Sequence, residues 1–209
     1  MTQVLLTAEG LEVSRNDRFL IGALDLVVRR GDCWALTGPN GSGKTTLLRA
    51  LAGLHSEYSG RLSLAPQAFL GHKPALNLLL SPRANLEWYA ALVGTSARAE
   101  ERLAAVGLES SSRVPCGQLS AGQQRRVALA ALALQPAPLW LLDEPHTALD
   151  VSGQALLDSL LHGHLARGGA VVCATHQPLD QTGRFQQLAE PGIDIKQGMA
   201  LRRWQPRNG

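Results

Sequence analysis

The sequence predicts an α/β fold: a central parallel sheet, an antiparallel β-layer ahead of it and a helical lobe inserted into it. Three observations carry this. Compact apolar runs at Cys33-Trp34-Ala35-Leu36-Thr37, Leu139 to Leu142 and Ala170 to Ala174 read as buried strands. Val151 to Leu165, between the last two, reads as a helix, and a strand, helix, strand succession of this kind joins parallel strands by a right-handed crossover. A glycine-rich loop, Gly38 to Thr45, follows the first run and opens onto a helical segment.

The elements follow in order. Val4 to Val13 and Phe19 to Val28 mix apolar and polar residues at short period, with Gly22 and Gly31 as breaks, and form the antiparallel layer. Thr45 to Leu54 is a helix with Gly53 and Gly60 near its end. Ser81-Pro82 is an N-cap followed by proline at the first helical position, and Leu86, Tyr89, Ala90 and Val93 follow at helical spacing. A second helix runs from about Ser96 to Val106 with Gly107 as its stop. A third starts at Ser120 and carries Val127, Ala130, Ala131 and Leu134 on one face. Residues 74–133 thus form the helical lobe within a single domain spanning 1–209. The tail from Arg202 to Gly209 is polar and expected to fray.

Composition narrows the functional classes. The 209 residues hold 45% hydrophobic and 18% charged side chains, a globular balance that excludes disorder. Twenty basic against 17 acidic residues leave a net charge of +3, with lysine at only Lys44, Lys73 and Lys196. That excess is too small for a nucleic-acid footprint, so no nucleic-acid partner is expected. Cys33, Cys116 and Cys173 are scattered and odd in number, which fits buried thiols in a reducing compartment rather than a disulfide framework. The N-terminus lacks the basic and apolar regions of a signal peptide. The longest uncharged run, Val127 to Leu142, is interrupted by Pro136 and Pro138 and falls short of the roughly 18 residues a bilayer span needs.

The chemistry is carried by three motifs. Gly38-Pro39-Asn40-Gly41-Ser42-Gly43-Lys44-Thr45 matches GxxxxGK[ST] between a strand and a helix. Its glycines let successive backbone N–H groups turn inward around phosphates, and the following helix, with Thr46 in its first turn, adds its positive end. Lys44 reaches the β- and γ-phosphates, and the Thr45 hydroxyl is a Mg²⁺ ligand. About a hundred residues later, Trp140-Leu141-Leu142-Asp143-Glu144 ends a buried strand in two carboxylates. Asp143 there suits the metal's hydration shell, and Glu144 suits a base for attack on the γ-phosphate. Leu119-Ser120-Ala121-Gly122-Gln123 precedes the third helix. Alone, Ser120 would be an N-cap; after a phosphate loop and before paired carboxylates, LSxGQ is far more specific.

With all three in order the chain resembles the nucleotide-binding subunits of ABC (ATP-binding cassette) ATPases, which are P-loop NTPases with a RecA-like core, over nearly its whole length. The resemblance implies that Ser120, Gly122 and Gln123 bind ATP held by the phosphate loop of a second copy, two chains sandwiching two nucleotides. It implies a D-loop at Ala148-Leu149-Asp150 and a switch histidine at His176, which orients water together with Glu144. Catalysis then rests on Glu144, His176 and Lys44, with ATP and Mg²⁺ as cofactors.

Two positions depart from the family. A glutamine usually follows the strand entering the lobe, as a metal ligand; here Phe69-Leu70-Gly71-His72 leads to Lys73, which has no acceptor atom, while Gln67 is expected to precede the strand. The aromatic residue that usually stacks on adenine falls near Arg15, with Phe19 the nearest ring.

Several phrases are narrower than the general signature: Leu119 to Ala130 reading LSAGQQRRVALA, Leu70-Gly71-His72 before Lys73-Pro74, Leu141 to Asp150, and Thr175-His176-Gln177-Pro178-Leu179. With the short length they resemble the ATP-binding subunit of the cytochrome c biogenesis system, the haem-exporter type of ABC transporter. That resemblance implies an ATPase docked on integral membrane subunits at the cytoplasmic face of the bacterial inner membrane, driving haem delivery to the periplasm. An ABC transporter ATPase for another substrate, or a soluble nucleotide-switched ABC protein, stays open at this stage.

Overall fold

A computed structural model describes residues 3–96, 98–176, 185–188, 192–196 and 198–207. The strands are β1 (Val4–Arg15), β2 (Arg18–Arg29), β3 (Cys33–Thr37), β4 (Tyr58–Leu64), β5 (Gln67–Leu70), β6 (Leu139–Asp143), β7 (Ala170–Ala174), β8 (Phe185–Gln187), β9 (Ile193–Lys196) and β10 (Met199–Pro206). The helices are α1 (Lys44–Leu51), α2 (Pro82–Leu92), α3 (Ala99–Ala105), α4 (Ala121–Leu134) and α5 (Val151–Ala166).

Two sheets form. One is three-stranded in the order β2-β1-β4; the other runs β5-β6-β7-β3-β10-β8, with β9 also on β10. Parallel pairing of β3 with β7 and of β6 with β7 is as the crossover pattern requires. All five residues of β6 and all five of β7 are buried, so these strands read as continuous apolar runs, ended in β6 by Asp143, rather than as an alternation. β1 pairs antiparallel with both β2 and β4.

The chain divides into two compact units. The first comprises Met1–Phe69, Ala137–Glu144 and Leu161–Gly209; the second comprises Leu70–Pro136 and Pro145–Leu160. The first unit's core joins Leu6, Leu11, Val13 and Ile21 of the antiparallel layer to Leu36, Leu47, Leu141, Val172 and Leu201. In the second, α2, α3 and α4 bury Leu86, Leu103, Val127, Ala130, Ala131 and Leu134 against one another. The four residues expected on one face of α4 are all in that cluster. Among the described residues no helix is long and apolar enough to cross a membrane.

Three local expectations are corrected, and one strand is added. The tail does not fray where it is described: Met199–Pro206 lies between β3 and β8 in the large sheet. Its arginines disguise a strand that buries Met199, Leu201 and Trp204. Arg203 pairs with Asp32 at 2.7 Å and lies over the Trp34 ring, and Arg202 pairs with Asp194 at 2.7 Å. Residues 208–209 lie outside the described residues. Gln67 is the first residue of β5 rather than ahead of it, and its Nε2 donates to the Ala52 carbonyl at 2.6 Å. α3 begins at Ala99 rather than at about Ser96: the chain is still extended at Arg98, the N-cap, which makes no side-chain capping bond. The strand Tyr58–Leu64 was not expected, since its exposed polar residues show no apolar period.

Candidate active site

The phosphate loop has the backbone its glycines foretell. β3 delivers the chain to Gly38, and Gly38, Gly41 and Gly43 have φ of 149°, 75° and 105°. The last two lie in the left-handed region, where a β-carbon is disfavoured. Gly38 is also confined, since a β-carbon there would sit 2.9 Å from the Gly198 carbonyl oxygen. Gly43 caps α1 with no side-chain hydrogen bond, so no capping side chain occupies the first N–H groups of the helix, which suit an anion.

Lys44 is 7% exposed, and its Nζ donates to the carbonyls of Gly38 and Pro39 at 2.8 and 3.0 Å. The ammonium thus lies folded over the loop, a concentrated positive charge beside the amide cradle. Pro39, Asn40 and Gly41 form the exposed rim, Ser42 is half-buried, and Thr46 is buried under the first turn.

Two pairings assemble the chemistry. Thr45 Oγ1 donates to Asp143 Oδ1 at 3.1 Å across 98 residues of sequence, with the Asp143 side chain buried. A hydroxyl and a carboxylate set together are hard oxygen donors of the kind Mg²⁺ takes. Among the described residues no group of three or more His, Cys, Asp or Glu forms a metal cage. Two oxygen donors of this kind fit an ion that arrives with phosphates and keeps several waters.

Glu144 lies just past β6 in the left-handed region, φ 47°, and its N–H donates to the Ala174 carbonyl at 2.8 Å. The Asp143↔Ala174 register brings the ends of β6 and β7 level. Glu144 and His176 consequently meet, with Nδ1 of the histidine 2.8 Å from Oε2 of the glutamate. A left-handed glutamate costs about 1–3 kcal/mol and persists because the strand ends over-determine it. A carboxylate bonded to a half-exposed imidazole at a strand end can hold and orient a water.

In the second unit Ser120 caps α4. Its Oγ accepts from the Gln123 N–H at 3.2 Å, and Gln123 Oε1 accepts from the Ser120 N–H at 3.0 Å, a reciprocal capping box. Both roles of the serine are thus compatible: it ends the helix, and the helix tip stays accessible. A groove of about 550 Å³ runs along Ser120, Gly122, Gln123, Arg126, Ala148 and Asp150. Ala148 is another non-glycine residue at positive φ, 65°. Arg126 Nη2 pairs with Asp150 Oδ1 at 2.6 Å, and the Gly153 N–H donates to the same oxygen at 2.8 Å. That N–H first, then Arg126 and Ser152, hold the Asp150 carboxyl below the usual aspartate range.

The expected residues therefore gather in two sets: the phosphate loop, Asp143, Glu144 and His176 in the first unit, and Ser120, Gly122, Gln123, Ala148 and Asp150 in the second. Gln177, Pro178 and Leu179 lie outside the described residues. Arg125 and Arg126 escaped the sequence reading, because a basic residue on a helix after a polar loop looks solvated until its partners are known. Arg15 is exposed at the end of β1, and Phe19 lines a shallow cleft with Tyr58, Glu12, Asp17 and Glu57.

Comparison with known proteins identifies the family. The family model described as ABC transporter matches residues 21–147, well over half of the chain. The chain belongs to the ABC transporter family. Its relatives within that family include the "Cytochrome c biogenesis ATP-binding export protein CcmA" of Methylococcus capsulatus, 43% identical over 204 residues, covering 90% of this chain and 99% of the relative. The protein of the same name from Pseudomonas savastanoi is 46% identical over 191 residues, covering 84% and 90%. A solved structure titled as the ATP binding subunit of an ABC transporter superposes with a TM-score of 0.75 at 25% identity, covering 82% of this chain and 79% of that one. As an ABC ATP-binding protein of this CcmA-like kind, the chain binds ATP and is an ATPase.

Proposed function

We propose that this chain is the energy-coupling subunit of a cytochrome c biogenesis exporter, with haem as the cargo, and that it hydrolyses MgATP at a two-copy interface while bound to integral membrane subunits at the cytoplasmic face of the inner membrane. The observation that carries the reading is the paired geometry at the strand ends: Thr45 against Asp143, and Glu144 against His176, beside the Lys44 loop. The whole chain acts as one nucleotide-binding domain, with residues 74–133 as its helical lobe.

Gly38 to Thr46 hold the triphosphate, Lys44 neutralises its β- and γ-oxygens, and Thr45 with Asp143 bind the magnesium that travels with it. Magnesium supplies charge neutralisation at the transferred phosphoryl group. Glu144 accepts the proton of the attacking water, and His176 keeps that carboxylate aimed. Ser120, Gly122 and Gln123 present a helix tip to the γ-phosphate of the nucleotide on the second copy. Positioning and electrostatics do nearly all the catalytic work, as phosphoryl transfer requires.

A membrane partner is supported by the second unit's surface. Leu78, Leu79, Leu80, Trp88 and Leu92, which lie within 15 residues of one another in the chain, are exposed, Leu79 at 87%. Apolar exposure of that extent marks an interaction site.

The test is Glu144→Gln with ATP. The carboxamide leaves nucleotide binding intact and removes the proton acceptor, so the variant accumulates as an ATP-bound dimer by size-exclusion chromatography with light scattering. A variant that stays monomeric at saturating ATP refutes the sandwich. Failure of the chain to co-purify with membrane subunits of cytochrome c maturation, in a host that carries them, refutes the exporter assignment.

A further inference from the structure

Arg125 carries a charge whose place in the molecule the roles above leave unused. It lies on α4, two residues beyond Gln123, and is 2% exposed. A guanidinium buried that deeply is tolerated only where acceptors are arranged to meet it. Its Nε donates to the Pro145 carbonyl at 3.2 Å, and its Nη1 to the carbonyls of Gly71 and His72 at 2.7 and 3.4 Å. Three segments are thereby joined by one side chain: the first turns of the helix that starts at Ser120, the stretch leaving β5, and the residue that follows Glu144. All of these contacts lie inside the second unit.

The planar fork of arginine suits this task. Its donors diverge in fixed directions and so hold two chain segments at once, whereas a lysine ammonium offers one compact charge on a flexible stem. Neighbouring Arg126 faces a different set of partners, Asp150, Ser152 and the Val106 carbonyl. The two adjacent cations therefore anchor the same helix on different sides.

We propose that Arg125 is a positioning residue for ATP hydrolysis, which sets the Ser120 to Gln123 tip of α4 by tying the helix to Gly71, His72 and Pro145. A displacement of the Gly71–His72 stretch then reaches the tip through one side chain. Arg125 touches no substrate in this role. It works through Ser120 and Gly122, so the proposal rests on the two-copy reading given above.

Arg125→Gln and Arg125→Lys, each introduced into the full Glu144→Gln chain, test it. Two quantities are read: the protein concentration at which ATP drives dimerisation, and the affinity of the dilute monomer for ADP by calorimetry. Arg125→Gln is expected to raise the dimerisation midpoint about tenfold, or about 1.4 kcal/mol, with ADP affinity unchanged within about twofold. Arg125→Lys is expected to fall between that variant and its parent. A midpoint within about twofold of the parent in both variants overturns the proposal, and so does a loss of ADP affinity in step with dimerisation, which marks general damage to the fold. Should Arg125→Gln not fold, Arg125→Lys decides by the same two readings. A Glu144→Gln parent that never dimerises removes the sandwich itself, and this role of Arg125 with it.

Discussion

Gly122→Ala is the smallest change that interrogates the helix tip, and its consequence can be worked from the coordinates. A β-carbon built on Gly122 lies 2.7 Å from the Ala148 carbonyl oxygen, where ordinary contact begins at 3.4 Å. The two backbones must therefore part by about 0.7 Å. Ala148 is poorly able to yield: it already occupies the left-handed region at φ 65°, and the turn around it is closed by the Leu149 N–H donating to the His146 carbonyl at 3.1 Å. The helix tip takes most of the displacement.

Forcing one methyl into a tight contact costs about 1–3 kcal/mol of stability. A misplacement of about 1 Å in a catalytic arrangement costs roughly a hundredfold in rate, so 0.7 Å predicts a fall of between about tenfold and a hundredfold in turnover. Phosphate release by the variant, assembled with the proposed membrane subunits, measures the rate, and calorimetry on the isolated chain measures nucleotide affinity. The expected result is a depressed kcat with affinity held within about twofold, and a deeper loss for Gly122→Val. Gly122→Ala hydrolysing ATP within about twofold of the wild-type rate would refute the assignment of this glycine to the tip.

Other substitutions address the remaining roles. Lys44→Ala removes the cation folded over the loop carbonyls and is expected to abolish measurable ATP binding by calorimetry; retained tight binding contradicts its role. Lys73→Gln restores the acceptor that the family usually carries after β5. If Lys73 weakens metal coordination, the Mg²⁺ concentration giving half-maximal ATPase activity falls, and an unchanged curve counts against that reading. His164 provides a pH test. Burial, ahead of its other influences, holds its imidazole below the ordinary 6.5, and it stacks on Trp140 with ring centroids 3.9 Å apart. The unfolded chain thus takes up this proton more readily than the folded one. The contribution to stability is complete above pH 6.5 and is lost as the pH falls through the depressed folded value. The urea midpoint should drop between about pH 7.5 and 5.5, and drop less in His164→Phe; equal slopes would refute it.

Much of the site is legible in one dimension because its chemistry is local. Gly38 to Thr45, Asp143-Glu144 and Ser120 to Gln123 are each contiguous, and each sits at a strand end or helix start whose apolar run is visible in the sequence. The capping box of α4 and the parallel strands β3, β6 and β7 follow from such short-range rules. The tail is the opposite case. Arg202 and Arg203 make a strand look like a polar terminus, because the partner that explains Arg203, Asp32, lies 171 residues away. β4 is obscure for a similar reason: pairing, rather than an apolar period, makes a strand of Tyr58–Leu64.

What the sequence determined alone was the inventory: the candidate groups for phosphate, the oxygens that suit magnesium, the carboxylate proposed to take a proton, and the order of the segments bearing them. What only the tertiary structure decided was which of these groups meet. Strand register sets Glu144 against His176, a left-handed backbone aims the glutamate, and a buried guanidinium binds the helix tip to segments far off in the chain. Spacing along a chain constrains neighbours within a turn or a strand, whereas contacts across tens of residues exist only once hydrophobic burial has stacked the elements that carry them.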